Sequence, residues 1–309
     1  MMPDKIGAPG DQIPTAALDA KTIAAHLAED AERWEVRAAW SVDSTNSVLM
    51  REAQTGAASG APGFSRPVLL AAENQTAGRG RQGRSWLAAP YASLTISFGW
   101  RMRRSTADLS GLSLACGLAV RRALAPHGVA CQMKWPNDVL VDRRKLAGIL
   151  VETRDFKASE TQFGETETFV VIGIGINVTP ASHRPLAMGP KSESVGKSPA
   201  ATDLLSEIQG SGNFGNSGEA RPDRNRLAAE IARSLAGYLK SFEKAGFAQF
   251  ADEWNCAHAY RGERMQLIEH GQIIARGVAR GVDAAGRLCI ETPEGVRSFL
   301  SGDVSLRPA

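Results

Sequence analysis

Long apolar runs, paired cysteines and clustered histidines are all missing from this chain. No stretch approaches the roughly 20 apolar residues that a membrane-spanning helix needs, and the N-terminus has no signal-peptide pattern. No membrane partner is therefore expected. The four cysteines, Cys116, Cys131, Cys256 and Cys289, are scattered without a C-x-x-C pair. Reduced, buried thiols are expected, which suits a cytoplasmic location. The five histidines show no metal-ligand spacing, so no zinc site is expected. A net charge of +3 is too small by itself to argue for nucleic acid. What is present, 43% hydrophobic and 22% charged residues, is ordinary for a globular protein. At 309 residues the chain can build one large domain and a small one.

The most informative stretch is Gln75 to Trp86, whose centre, Gly78 to Arg84, holds three glycines and three arginines. Glycines let the backbone approach a ligand closely, and guanidinium groups grip carboxylates and phosphates bidentately. Such a loop is suited to closing over an anion. Gly78, Gly80 and Gly83 also satisfy G-x-G-x-x-G, but the dinucleotide fingerprint opens a helix and has an acidic residue about 20 positions on. Here Arg103 and Arg104 stand near that distance, and the following segment alternates like a strand. A kinase glycine loop would require H-R-D and D-F-G motifs, and the chain has neither. An Arg/Gly segment binding RNA or DNA is the non-enzymatic alternative, marked by salt-sensitive binding.

Elements follow from periodicity. Asp19 to Trp34 has the spacing of one short helix. Asp43-Ser44-Thr45-Asn46 reads as a cap cluster opening a helix through Val48, Leu49 and Met50. Residues 56–67 read as a loop and Val68 to Ala72 as a buried strand. Leu94, Ile96, Phe98 and Trp100 alternate with Thr95, Ser97 and Gly99, a strand signal. Asp108 is expected to cap a helix running to Leu124, stopped by Pro126 and Gly128. Val129 to Trp135 and Lys145 to Glu152 read as strands around a Pro136-Asn137-Asp138 turn. This places Lys134, Asn137, Asp138 and Lys145 at one site. A lysine entering a buried strand, as Lys145 does, needs an anionic partner. Phe169 to Val178 is apolar with two glycines, a pattern that marks close ligand approach. Residues 182–221, rich in Ser, Gly, Pro and Asn, read as a mobile insertion. Asp223 opens an amphipathic helix, and from Gly262 short strands suit a small barrel.

Five blocks in order carry a family resemblance: Asp43-Ser44-Thr45-Asn46; Gln75-x-x-Gly78-Arg79-Gly80-Arg81-x-Gly83-Arg84-x-Trp86; Lys134-Trp135-Pro136-Asn137-Asp138; Lys145-Leu146-Ala147-Gly148-Ile149-Leu150; and Gly173-Ile174-Gly175-Ile176-Asn177. Together they resemble the biotin protein ligases. The resemblance implies an α+β fold: a mixed-sheet catalytic domain of the biotin/lipoate ligase type, class II aminoacyl-tRNA synthetase-like, with a C-terminal Src-homology-like β-barrel. The expected division is 1–35, a tail and short helix; 36–260, the catalytic domain; and 261–309, the barrel. The implied reaction joins biotin to ATP, with Mg2+ on the phosphates, giving biotinyl-5′-adenylate. The biotinyl group then passes to a lysine of a biotin carboxyl carrier protein, an acetyl-CoA carboxylase subunit. Biotin-binding residues by resemblance are Ser44, Thr45, Asn46, Gln75, Gly78, Arg79, Gly80, Arg81, Lys145 and Gly148. For ATP they are Arg79, Arg81, Arg84, Trp86, Lys134, Asn137 and Asn177. Arg81, Lys145 and Asp138 are the catalytic candidates. Asp138 either meets the incoming lysine amine or orients Lys134. The Mg2+ ligands are not assigned. A lipoate ligase shares this architecture, but the polar Ser44, Thr45, Asn46 and Gln75 favour biotin. A homodimer is compatible with the resemblance. Fewer than 40 residues are available ahead of the expected catalytic domain, too few for a DNA-reading helix-turn-helix, so no DNA partner is expected.

A cationic, glycine-rich loop should be cut near Arg81 by protease when empty, because ordering it costs entropy. Biotin with ATP should suppress the cutting. Equal cleavage with and without both ligands would count against a closing loop.

Overall fold

The structure is a computed structural model. It describes residues 16–58, 66–155, 167–180, 200–210, 222–269, 272–300 and 304–308. Two sheets are present. The larger has seven strands in the order β1-β2-β3-β7-β6-β5-β4. In chain order these are β1 (Glu35–Val42), β2 (Val68–Gln75), β3 (Ser93–Met102), β4 (Gln132–Lys134), β5 (Asp138–Val141), β6 (Arg144–Asp155) and β7 (Thr168–Asn177). β1 and β2 run parallel and every other neighbouring pair is antiparallel, so the sheet is mixed as expected.

Period-two alternation assigns the two faces of the large sheet. On β3, Leu94, Ile96, Phe98 and Trp100 enter the main core, as do Val170, Ile172, Ile174 and Ile176 of β7. That core is covered by α3 (Leu112–Leu124) and α5 (Arg224–Ala245), with α1 (Ala20–Leu27) against α5. Each fully buried Leu or Ile contributes about 1.5–3 kcal/mol of burial. On the opposite face α2 (Thr45–Ala58) sets Leu49 and Ala53 over Val68, Leu70, Phe169 and Val171. That helix covers only one end of its face. The uncovered remainder lies beyond its N-terminus.

The smaller sheet is antiparallel, ordered β11-β10-β9-β8-β12. It consists of β8 (Arg264–Glu269), β9 (Gln272–Val282), β10 (Leu288–Thr292), β11 (Gly295–Phe299) and β12 (Val304–Pro308). It has the small-barrel character expected, and β12 was not anticipated. α6 (Ala251–Ala257) joins the two units, and Trp135 Nε1 donates to Gly286 O at 3.2 Å between them.

Several boundaries differ from expectation. Asp108 does not cap α3; it lies in a 3-10 turn, Thr106–Leu109, and accepts from Ser105 Oγ at 2.6 Å. The helix starts after Gly111, whose φ of 80° favours glycine and where a Cβ would fall 2.5 Å from the Phe247 ring. The 56–67 loop is shortened because α2 runs to Ala58; residues 59–65 lie outside the described residues. Most of 182–221 also lies outside them, but 200–210 does not behave as a loose insertion. Ala201 bridges to Lys145, and α4 (Leu204–Gly210) buries Leu204.

The interior also holds an ion pair that periodicity does not reveal. Arg224 donates to both Glu73 oxygens, NH2 to Oε1 at 2.7 Å and NH1 to Oε2 at 2.9 Å, with side chains 0% and 2% exposed. Leu18 N and Tyr91 N donate to the same carboxylate. Arg224 further donates to Ala16 O and Ser93 O. Burial pushes the Glu73 carboxyl up, but the guanidinium fork and the two backbone N–H groups outweigh it and hold it below the ordinary range. Arg224→Met should strand this carboxylate and cost about 3–5 kcal/mol in a urea titration. Because the folded pKa is depressed, the stabilisation is complete above the unfolded value of about 4.3 and is lost as pH falls through the folded value. The double variant Glu73→Leu with Arg224→Met should therefore lose less stability than the wild type on acidification. Equal losses would show that the pair does not carry the pH dependence.

Candidate active site

Beyond the N-terminus of α2 the exposed sheet face is nearly bare of side chains. On β7 the positions that follow Phe169 and Val171 on this face are Gly173, Gly175 and Asn177. A Cβ at Gly173 would lie 2.4 Å from Asn46 Oδ1, and one at Gly175 would lie 2.3 Å from the Trp86 ring. A Cβ at Gly148 of β6, opposite Gly175, would lie 3.2 Å from both Lys145 Nζ and the Trp86 ring. The glycines therefore leave a cleft of about 510 Å3 over the sheet. That volume suits a small organic ligand.

One end of the cleft is polar and dry. Ser44, Thr45 and Asn46 at the start of α2 are each 2–3% exposed. Gln75 Oε1 accepts from Thr45 N at 2.8 Å and lies 3.1 Å from Thr45 Oγ1. Ser97 Oγ lies 2.6 Å from both Thr45 Oγ1 and Asn46 Oδ1. Asn46 Nδ2 donates to Glu152 Oε2 at 2.9 Å and to Leu150 O at 3.3 Å. Arg79 closes this end by pairing with Glu152 and donating to Ser47 Oγ.

The other end is cationic. Lys145 Nζ pairs with Asp138 Oδ1 at 2.5 Å, and Lys134 Nζ stands 3.8 Å from Asp138 Oδ2. Lys134 and Asp138 sit directly opposite on β4 and β5. Lys145 reaches this face through an irregularity. Val139 pairs with Ala147 but Leu140 with Lys145, so Leu146 is an extra residue in β6. Such a bulge switches the side-chain parity of a strand. Without it Lys145 would share the core-facing parity of Ala147 and Ile149. The 200–205 strap then fixes its backbone, with Lys145 N donating to Ala200 O and Thr202 N to Lys145 O. Asn177 Nδ2 ties the same strap, donating to Thr202 O at 2.9 Å and Lys145 O at 3.3 Å. Asn137 likewise donates to Ile149 O at 2.8 Å.

Over the cleft folds a short hairpin. Trp86 N donates to Gly78 O, and Gly80 N to Arg84 O at 2.7 Å. Its tip, Arg81–Gly83, turns through positive φ at Gln82 and Gly83. Lys145 Nζ sits 5.5 Å from the centre of the Trp86 ring. Trp86 Nε1 is buried with no hydrogen-bond partner.

Of the residues singled out from sequence, all but Gly78 line this cleft. Gly78 forms the base of the hairpin, where a Cβ would lie 2.3 Å from Trp86 O. Asn177 and Asn137 line it but spend their amide nitrogens on backbone carbonyls. Asp138 faces both lysines rather than one. Sequence reasoning missed Ser97, Glu152 and the strap. The hydroxyl at 97 was visible only as the polar phase of an alternating strand.

A dry polar pocket joined to a lysine cluster, beneath an arginine hairpin, defines a site for a small acid and a second anion. Two family models match the chain. The biotin/lipoate A/B protein ligase family matches residues 62–177, and the biotin protein ligase C-terminal domain matches 262–307. The biotin--[acetyl-CoA-carboxylase] ligase of Mycobacterium tuberculosis is 35% identical over 266 residues, covering 84% of this chain and 85% of its own length. The bifunctional ligase/repressor BirA of Escherichia coli is 33% identical, covering 87% of this chain and 73% of itself. A biotin protein ligase from Aquifex aeolicus, solved with biotin and ATP, is 26% identical with a TM-score of 0.62, covering 89% of this chain and 98% of its own. The chain belongs to the biotin protein ligase family.

The glycine floor makes a direct prediction. Gly175→Ala should push the Trp86 ring off the sheet and expose it, shifting its emission to the red, with Trp86→Phe identifying its contribution. Unchanged emission would mean that the floor tolerates a methyl group and that the glycine is not needed for the ring.

Proposed function

We propose that the chain attaches biotin to a lysine of a carrier protein in two ATP-dependent steps. In the first, a biotin carboxylate oxygen attacks the α-phosphorus of ATP, and pyrophosphate leaves with the electrons of the broken P–O bond. In the second, the acceptor lysine amine attacks the acyl carbon of biotinyl-5′-adenylate. An amide forms, the proton passes to solvent, and AMP departs. The observation that carries this reading is the continuity of the cleft. A buried polar pocket suited to a cyclic urea leads over the glycine floor to the Lys145–Asp138–Lys134 cluster.

Lys145 would neutralise charge on the acyl phosphate. Arg79, Arg81 and Arg84 would bring mobile positive charge, and closure would keep water from the mixed anhydride. Trp86 would pack on the ligand. Ser44, Thr45, Asn46 and Gln75 would surround the biotin ring. Asp138 would bridge the two lysines and moderate the repulsion between them. Lys134 would meet the polyphosphate. Asn137 and Asn177 would act through the backbone they brace. Among the described residues no group of three His, Cys, Asp or Glu could hold a metal. Mg2+ would arrive on the ATP phosphates as part of the substrate. The carrier would be the biotin carboxyl carrier subunit of acetyl-CoA carboxylase, encountered in the cytoplasm. Among the described residues no helix is long and apolar enough to cross a membrane. The acceptor-rich pocket disfavours lipoate, whose ring offers no N–H group.

Isotope exchange between pyrophosphate and ATP should require biotin and should not respond to lipoate. Lys145→Ala should slow it about 10²–10³-fold, the scale of losing one preorganised electrostatic group. Undiminished exchange would remove Lys145 from the chemistry.

A further inference from the structure

Glu152 stands on the cleft face of β6, two residues beyond Leu150, with its side chain 20% exposed. One carboxylate oxygen holds Arg79 of the hairpin, and the other accepts from Asn46 Nδ2 at 2.9 Å. We infer that Glu152 is a positioning residue that sets the hydrogen-bond polarity of the pocket, and thereby its choice of acid, while fastening the hairpin above it. The inference deepens the biotin reading and rests on it.

A primary amide can turn over and exchange its oxygen and nitrogen. A carboxylate paired with arginine only accepts. Set at 2.9 Å with Leu150 O beside it, Glu152 draws Asn46 Nδ2 toward β6 and turns Oδ1 inward to Ser97. The protons inside can then be counted. Asn46 Oδ1 and Gln75 Oε1 are pure acceptors; Thr45 N already donates to Gln75 Oε1, and the other donors between them are the hydroxyls of Thr45 and Ser97. Three contacts, Gln75–Thr45, Thr45–Ser97 and Ser97–Asn46, must share two hydroxyl protons. The pocket holds more acceptor lone pairs than donors. An incoming ring with N–H groups supplies what is missing; a ring with none does not. If Asn46 were free to turn, its own nitrogen would make up the shortage and the preference for N–H would fade.

Glu152→Gln in the full chain tests this by biotin-dependent pyrophosphate exchange, with biotin and an N-methylated biotin lacking one ureido N–H as the two acids. The KM for biotin should rise about tenfold, the scale of a hydrogen bond to a charged group, with kcat changed much less. The ratio of kcat/KM between the two acids should narrow. Steric cost of the methyl group is common to both proteins and cancels in that comparison. Glu152→Asp, which remains acceptor-only, should keep the wild-type ratio. The inference is overturned if Glu152→Gln leaves KM and the ratio unchanged, or if it lowers kcat for both acids equally, as a merely structural residue would. Wild-type exchange that needs no biotin would instead overturn the reading on which the inference rests.

Discussion

A buried carboxylate and a buried guanidinium hold together the parts from which the site is built. Glu73 lies on β2 two residues before Gln75, and Arg224 is the first residue of α5. Their bidentate pair also takes hydrogen bonds from Leu18 and Tyr91 and gives them to Ala16 and Ser93. Four separate stretches of chain thus meet at one charge pair. Buried pairs of this kind contribute little net stability against an apolar alternative, yet breaking one is costly. Its consequence here is geometric. The strand that delivers Gln75 and the arginine hairpin ends at a point fixed from both sides.

From that fixed point the cleft follows from what the sheet does not carry. Side chains on β6 and β7 alternate faces, and on the cleft face the sequence places glycine where α2 no longer covers the sheet. Asn46 and Trp86 fill part of the space that Cβ atoms would have taken. The bulge at Leu146 is the second departure from regularity. It allows a core-forming strand to present an ammonium group to the cleft without interrupting the apolar side at Leu146, Ala147 and Ile149. Regular pairing builds the wall, and two local exceptions make it a site.

Most of this was legible in residue order. The glycine–arginine hairpin, the lysines around Pro136 and the Gly-x-Gly strand each announce a departure from ordinary core chemistry. What was hidden depends on parity and on distance along the chain. The polar phase of β3 reads the same whether it faces solvent or a pocket, so Ser97 could not be distinguished from an ordinary strand hydroxyl. Glu152 looked like the polar end of an apolar strand. The Glu73–Arg224 pair joins residues 151 positions apart, and neither neighbourhood names its partner. The strap at 200–205 sits in a composition that reads as linker, yet its backbone closes against Lys145 through local pairing.

In the reaction we propose, Asp138 would let one site serve two chemically different steps. A single carboxylate faces two ammonium groups, Lys145 closely and Lys134 more distantly. Like charges brought together in a low-dielectric cleft repel strongly, and the carboxylate between them moderates that repulsion without abolishing the excess of positive charge. An acid and a triphosphate entering together bring the missing negative charge, so binding and neutralisation are one event. Once pyrophosphate leaves, much of that negative charge goes with it, and the hold on the ligand rests on the dry polar pocket at the far end. The acyl carbon is then exposed to an approaching amine at the end where charge has been relieved, while the ring stays fixed at the end where it has not. In the proposed reaction, separation of the cleft into a polar anchor and an electrostatic workplace would let the intermediate be both retained and attacked.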